Sequence, residues 1–79
     1  MKQEIASLIR ENLLEIMPEL NDEKFSDDDS FVELGANSID RGELITLTLE
    51  KLNLDVPRIE FVSAQTIDQL AELMAEKSK

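Results

Sequence analysis

Apolar side chains recur every three or four residues in three separate stretches of the chain, and this periodicity is typical of amphipathic helices that pack through one face. The first stretch ends at Met17, and charged side chains occupy the positions between its apolar residues. Those apolar residues are Ile5, Leu8, Ile9, Leu13, Ile16 and Met17. Because Pro18 disfavours helical geometry at the residue before it, we expect this helix to end near Met17.

The second stretch contains a pattern that could also be a strand. Ile45, Leu47 and Leu49 alternate with two threonines, as apolar residues do in a half-buried β-strand. A lone strand would have no partner elsewhere in the chain, whereas Ile45, Leu49 and Leu52 also fit one face of a helix. We therefore predict a helix from Ser38 to Leu52.

The third stretch follows Thr66, which is predicted to cap a final helix, with Gln69 completing a capping box. The apolar stripe of this helix consists of Ile67, Leu70, Ala71 and Met74. Before it, Pro57 suits the first position of a short helix. Three apolar residues of that short helix are expected to face the core: Ile59, Phe61 and Val62.

A polar connection from Glu19 to Ser30 separates the first two helices. Connections of this length in a compact domain are usually functional, disordered or locally ordered. Phe25 and Phe31 are expected to pin this connection to the core. After it, a Ser and a Glu at capping-box spacing precede Gly35, which predicts a single helical turn over Ser30–Leu34.

These elements predict an all-α fold, a small four-helix bundle of three main helices and one short helix with a long loop between the first and second helices. A chain of 79 residues corresponds to one domain, residues 1–79. Its only aromatic residues are three Phe, so the core is expected to be mainly aliphatic.

The charge balance restricts the partners of the chain. Its net charge is -10, from 18 acidic and 8 basic residues, which repels nucleic acid and anionic membranes and attracts basic patches on enzymes. The absence of Cys and His removes disulfides, thiolate zinc sites and the usual general base, so we expect neither a metal site nor catalytic activity. A cytoplasmic monomer is the expected form.

The most informative stretch runs from Leu34 to Asp40, where a glycine turn is followed by Ser38 at the predicted start of a helix. By spacing alone, a serine at this point is ordinarily an N-cap. A helix N-terminus also presents unpaired N–H groups and partial positive charge, which favour a phosphodiester at its first residues. The two interpretations can hold together.

Here the chain resembles the acyl carrier protein family. Gly35, Asn37, Ser38 and Ile39 match the family's glycine, its Asp or Asn, its modified serine and the apolar residue that follows. Later matching landmarks are Glu43-Leu44, Val56-Pro57 and Thr66-Ile67. The order of helix, long acidic loop, helix, short helix and helix extends the resemblance over nearly the whole chain.

The resemblance implies that a separate phosphopantetheinyl transferase attaches 4'-phosphopantetheine to the Ser38 hydroxyl, and that acyl groups are carried as thioesters on this arm. It also implies partners such as an acyltransferase, a ketosynthase or related biosynthetic enzymes with basic docking surfaces. The residues expected to contact these partners are Asp40, Arg41, Gly42, Glu43 and Glu60.

Two residues depart from the pattern of fatty-acid carriers. Arg41 adds a positive charge early in the helix after the serine, and Gly42 stands where relatives usually carry an exposed apolar residue. These departures favour a polyketide pathway, for example as a donor carrier in β-branching, whose acceptor carriers often bear a Trp that this chain lacks. Fatty-acid synthesis and D-alanine transfer remain alternatives, and the sequence does not name the acyl group.

A hypothesis from another class is an acidic helical adaptor without a prosthetic group, whose grooves bind a partner helix. In that case Ser38 would only cap its helix.

Overall fold

A computed structural model describes residues 1–22 and 24–78, which form three α-helices and two 3-10 helices. The α-helices are α1 (Lys2–Ile16), α2 (Ser38–Leu52) and α3 (Ile67–Lys77). The 3-10 helices span Pro18–Asp22 and Arg58–Phe61. Helix α1 contacts both α2 and α3, while the 3-10 helix at Arg58–Phe61 contacts α2 and α3. The predicted all-α fold is confirmed, and the short fourth helix is of the 3-10 type.

The core is aliphatic apart from two phenylalanines, Phe31 and Phe61. Its most deeply buried apolar side chains are Ile9, Leu13, Leu20, Leu44, Phe61, Ile67, Leu70 and Met74. Fully burying a side chain of this size contributes about 1.5–3 kcal/mol relative to leaving it exposed. The apolar stripe predicted for α3 is confirmed, since all four of its members are buried.

A buried polar network links α1 to α2. Asn12 and Thr48 are both fully buried. Asn12 Nδ2 donates to Thr48 Oγ1 at 2.8 Å, and the Thr48 hydroxyl donates to the Leu44 carbonyl at 2.8 Å. Lys51 Nζ donates to Asn12 Oδ1 at 2.8 Å. Because a shift of one helix along the other would leave these buried groups unsatisfied, the network fixes how α1 and α2 pair.

The acidic connection is held against α1 by Arg10. The Arg10 guanidinium lies 4.5 Å from the centroid of the Phe25 ring and donates to the Phe25 carbonyl at 3.3 Å. It also donates to the Asp27 carboxylate at 2.7 Å. Phe25 is partly buried and Phe31 is 2% exposed, so the prediction that both residues pin the connection is confirmed.

The end of the connection is joined to the start of α3 through the backbone. Phe31 N donates to Gln65 O at 2.8 Å, and Asp68 N donates to Asp27 O at 3.0 Å. An isolated antiparallel bridge joins Ser30 to Thr66 between these two bonds. The chain segment that leads into α2 is thereby fixed to α3.

The expected orientation of the short helix is wrong for two of its three apolar residues. Phe61 is fully buried, but Ile59 is 74% exposed and Val62 is 60% exposed. In a 3-10 helix with three residues per turn, residues three apart lie on the same face. Ile59 and Val62 therefore share one face, and with Phe61 turned into the core that face points to solvent. Pro57 precedes this helix as its N-cap instead of occupying its first position.

The capping of α3 differs in one detail from the prediction. Thr66 Oγ1 accepts from Gln69 N at 3.0 Å, as expected for an N-cap. Gln69 Oε1, however, accepts from Gln65 N at 2.9 Å and not from Thr66 N. The Gln side chain is long enough to reach one residue further back, and the Thr66 backbone is extended there.

No helix among the described residues combines the length and the apolar composition that crossing a membrane requires. The same described residues contain no group of three or more acidic side chains that could hold a metal ion.

Candidate functional site

A short turn brings the chain to the start of α2. Ser30 Oγ accepts from Glu33 N at 3.1 Å, and Glu33 Oε1 accepts from Ser30 N at 3.4 Å. Leu34 N donates to Ser30 O at 3.1 Å, which completes one helical turn. The turn stops at Gly35, whose φ of 90° is a conformation that residues with a side chain rarely adopt. The turn predicted over Ser30–Leu34 is confirmed.

Helix α2 is capped by Asn37. Its Oδ1 accepts from Asp40 N at 2.8 Å, and Asp40 Oδ2 accepts from Asn37 N at 3.3 Å, so the two side chains form a capping box. The expectation that Ser38 itself caps the helix is wrong. Asn37 has the extended backbone of an N-cap, with ψ of -177°, and Ser38 is the first helical residue.

The Ser38 side chain is exposed, and no hydrogen bond of the described residues involves its hydroxyl. Since Asn37 satisfies the cap, the Ser38 oxygen has no structural role in this turn. The first N–H groups of a helix have no partner within it, and the helix dipole is positive at this end. A negatively charged ester on Ser38 fits this environment.

Ser38 also lines an open groove of about 780 Å³ between α2 and the Arg58–Phe61 helix. We call it the Ser38 groove. Its lining includes Ser38, Arg41, Gly42, Thr46, Arg58 and Val62. Ile39, which is 70% exposed, also lines it, so the groove combines apolar surface with charges of both signs, positive at Arg41 and Arg58 and negative at Glu43 and Glu50.

Three of the five predicted partner-binding residues lie with Ser38 in this groove: Arg41, Gly42 and Glu43. The Asp40 carboxylate accepts from Asn37 N in the capping box. Glu60 forms an ion pair with Lys77 at 2.9 Å outside the groove lining, and its carboxylate raises the pKa of Lys77 above the usual lysine value. The structure thus assigns Asp40 and Glu60 intramolecular contacts and leaves Glu43 exposed.

Sequence reasoning did not find the contact between Arg58 and α2. Arg58 Nη1 donates to Thr46 Oγ1 at 3.3 Å and lies 3.8 Å from the point that a Cβ at Gly42 would occupy. The positive charge after Pro57 and the missing side chain at Gly42 were visible in the sequence. Their proximity depends on how the 3-10 helix packs on α2, which no spacing along the chain indicates.

Comparison with known families places the chain in one of them. The family model described as "Phosphopantetheine attachment site" matches residues 4–74. The chain therefore belongs to this family of carriers, and its prosthetic group is a covalently attached 4'-phosphopantetheine. This result favours the carrier over the adaptor without a prosthetic group.

Two relatives narrow the class to acyl carrier proteins. The chain is 45% identical, over 96% of its length and 93% of the relative's, to the polyketide biosynthesis acyl-carrier-protein AcpK of Bacillus subtilis (strain 168). It is also similar to the carrier in a crystal structure of the curacin biosynthetic pathway HMG synthase in complex with acetyl donor-ACP. That match has a TM-score of 0.90 and 38% sequence identity, and it covers 96% of this chain and 97% of the other chain. The chain is an acyl carrier protein.

Proposed function

We propose that Ser38 is the residue that receives the 4'-phosphopantetheine arm, and that the chain acts as an acyl-donor carrier in a polyketide pathway. The observation that supports the attachment site is the exposed Ser38 hydroxyl, which has no hydrogen-bond partner in the described part of the chain although it lies in the first turn of α2. When attached, the arm supplies the thiol on which acyl groups are held as thioesters, a group that this chain without Cys lacks.

The chain's own residues contribute position and exposure in this proposal. The Asn37 and Asp40 side chains fix the first turn of α2 and therefore the direction in which the Ser38 side chain leaves it. Gly35 ends the preceding turn, because its φ of 90° reverses the chain direction before the cap of α2. In this proposal the chain itself breaks no covalent bond. Residues 1–79 serve as a single carrier domain.

The polyketide assignment is supported by the two relatives. One is a polyketide biosynthesis carrier, and the other is an acetyl donor in complex with an HMG synthase. With 45% and 38% identity over nearly the whole chain, these relatives favour the same kind of task here over fatty-acid synthesis or D-alanine transfer. We therefore propose acetyl as the cargo and an enzyme of the HMG synthase class as an acceptor.

The proposed contacts with partner enzymes are supported by the charge of the chain. A net charge of -10 favours encounter with basic surfaces on the phosphopantetheinyl transferase, the acyltransferase and a ketosynthase. Glu43 is the predicted acidic contact that is exposed and has no ion pair in the described residues. The same net charge keeps copies apart, which supports a monomer, and the cytoplasm is its proposed location.

The attachment site is tested by intact mass after expression with a promiscuous phosphopantetheinyl transferase. The wild-type chain is expected to gain the mass of one arm and Ser38→Ala none. Ser63→Ala is the matched control, because Ser63 is also exposed and its side chain makes no hydrogen bond in the described residues. Arm attachment to Ser38→Ala would show that the site is elsewhere.

The pathway is tested by loading the arm with an acetyl group and adding either an HMG synthase from a polyketide pathway or a fatty-acid ketosynthase. Loss of the acetyl group, followed by mass, is expected to be faster with the HMG synthase. Equal or faster transfer to the ketosynthase would remove the support for a donor role in a polyketide pathway while leaving the attachment site intact.

A further inference from the structure

We propose that Arg41 positions the prosthetic arm by pairing its guanidinium with the phosphodiester that joins the arm to the protein. This inference rests on the proposed attachment at Ser38. Its starting observations are that Arg41 and Ser38 line the same groove, and that Arg41 Nε is buried without a hydrogen-bond partner in the described residues. A buried donor without an acceptor is unfavourable and calls for one.

Arg41 differs from the other cations of the described residues because its Nε is buried without an acceptor. Arg10 pairs with Asp27 at 2.7 Å, and Lys2, Lys51 and Lys77 each have a carboxylate within 3.4 Å. Arg41 and Arg58 have no carboxylate partner in the described part of the chain, but Arg58 donates to the Thr46 hydroxyl, whereas Arg41 Nε is buried without an acceptor. An anion that is not part of the polypeptide would complete this site.

Helix geometry places Arg41 within reach of the arm. Arg41 follows Ser38 by three residues, so the two side chains lie on one face of α2, one turn apart. Side chains on a helix lean toward its N-terminus, which directs the Arg41 side chain back over the turn that contains Ser38. A cation is otherwise disfavoured this close to the positive end of a helix dipole, and a phosphodiester on Ser38 would offset that cost.

The arm's own phosphodiester is favoured over an acidic group on a partner protein. It is covalently tethered to the neighbouring side chain, so its effective concentration at Arg41 is high at all times. Pairing at the phosphodiester restrains only the root of the arm and directs it into the Ser38 groove.

Nuclear magnetic resonance of the arm-bearing protein tests this pairing without an activity readout. Attachment of the arm is expected to move the Nε–H resonance of Arg41 downfield, because the guanidinium gains charged acceptor oxygens, and to leave that of Arg58 nearly unchanged. Relative to the wild-type protein, the phosphorus resonance of the arm is expected to shift in Arg41→Gln and to shift less in Arg41→Lys, because lysine keeps the charge. In Arg58→Gln it is expected to stay at the wild-type position.

Arg58→Gln is the matched control, since it removes the same charge from the same groove at a guanidinium that lies between Gly42 and Thr46 and is hydrogen-bonded to the Thr46 hydroxyl. Raising salt to about 1 M should move the wild-type phosphorus resonance toward that of Arg41→Gln, because salt screens the pair. Identical phosphorus resonances in wild type and Arg41→Gln, or equal shifts in the two Gln variants, would overturn the proposal. Intact mass of each variant separates these outcomes from a failure of attachment at Ser38.

Discussion

The Oδ1 atom of Asn37 accepts a hydrogen bond from the backbone N–H of Asp40 at 2.8 Å, and the Asp40 carboxylate returns the bond to Asn37 N at 3.3 Å. This pair closes the first turn of α2 without using the side chain of Ser38, which lies between the two residues. Helix capping and the prosthetic-group attachment proposed for Ser38 therefore fall to different residues, and substitutions can separate them.

Ser38→Ala is expected to change the free energy of unfolding by less than about 0.5 kcal/mol, because an exposed side chain without partners is removed. Asn37→Ala is expected to lower it by about 0.5–2 kcal/mol, because an N-cap is lost. Urea unfolding of the two apo variants measures both values. A loss for Ser38→Ala as large as that for Asn37→Ala would mean that the serine also stabilises the helix.

The Asn12 network is expected to contribute strongly to stability. Asn12→Ala removes one hydrogen bond each from the buried Thr48 hydroxyl and the Lys51 ammonium, which keep the Leu44 carbonyl and the Glu15 carboxylate, and should cost about 1–3 kcal/mol. The double variant Asn12→Ala/Thr48→Val should be less destabilised than the sum of its single variants, because the two groups share a hydrogen bond. Ser7→Ala, at an exposed position of α1, is the control. Strict additivity would argue against a coupled network.

Local sequence signals predict most of this fold and only part of the site. The periodicity and Pro18 predict the end of α1, and Ser38–Leu52 is predicted as observed. The bond between Asn12 and Thr48 joins residues 36 positions apart, so it depends on helix packing that periodicity does not specify. Spacing does not show whether Asn37 or Ser38 caps α2, because Asn and Ser are both good N-caps and the two residues are neighbours.

Gly42→Ala is expected to raise the free energy of unfolding by up to about 1 kcal/mol, because glycine lowers helix propensity. The added Cβ would meet Arg58 Nη1 at 3.8 Å, an ordinary contact. Gly42→Val is larger and should displace Arg58, slowing acyl transfer to the cognate enzyme relative to a fatty-acid ketosynthase. Equal transfer rates for Gly42→Val and wild type with both enzymes would show that Gly42 has no part in partner choice.

Glu43→Lys should slow association with the phosphopantetheinyl transferase more than it changes dissociation, since the charge steers encounter. The wild-type association rate should also fall as salt rises. Asp40→Lys is less informative, because it breaks the capping box as well. Glu11→Lys, on the exposed face of α1, makes the same charge change elsewhere. An association rate reduced equally by Glu43→Lys and Glu11→Lys would reflect net charge and not a contact.

Two surface lysines predict a loss of stability at alkaline pH. The hydrogen bond from Lys77 to Glu60 raises the pKa of that lysine, and the bond from Lys2 to Asp68 does the same for Lys2. When folding raises the pKa of a lysine, the protonated lysine stabilises the folded protein at pH values below the unfolded lysine pKa. This contribution is lost as pH rises through the folded pKa. Glu60→Gln should lower the pKa of Lys77 and leave that of Lys2 raised, as titration by NMR would show. A Lys77 pKa unaffected by Glu60→Gln would contradict the assigned cause.

The backbone bonds from Phe31 to Gln65 and from Asp68 to Asp27 have a consequence for how the protein opens. They tie the segment before α2 to the start of α3, so the serine end of α2 cannot separate from the bundle unless the first turn of α3 also loosens. The amide hydrogens of Phe31 and Asp68 should therefore exchange with solvent deuterium together and slowly, as parts of one cooperative unit. An acyl carrier built in this way can move the outer part of its arm while the helices beneath it stay packed.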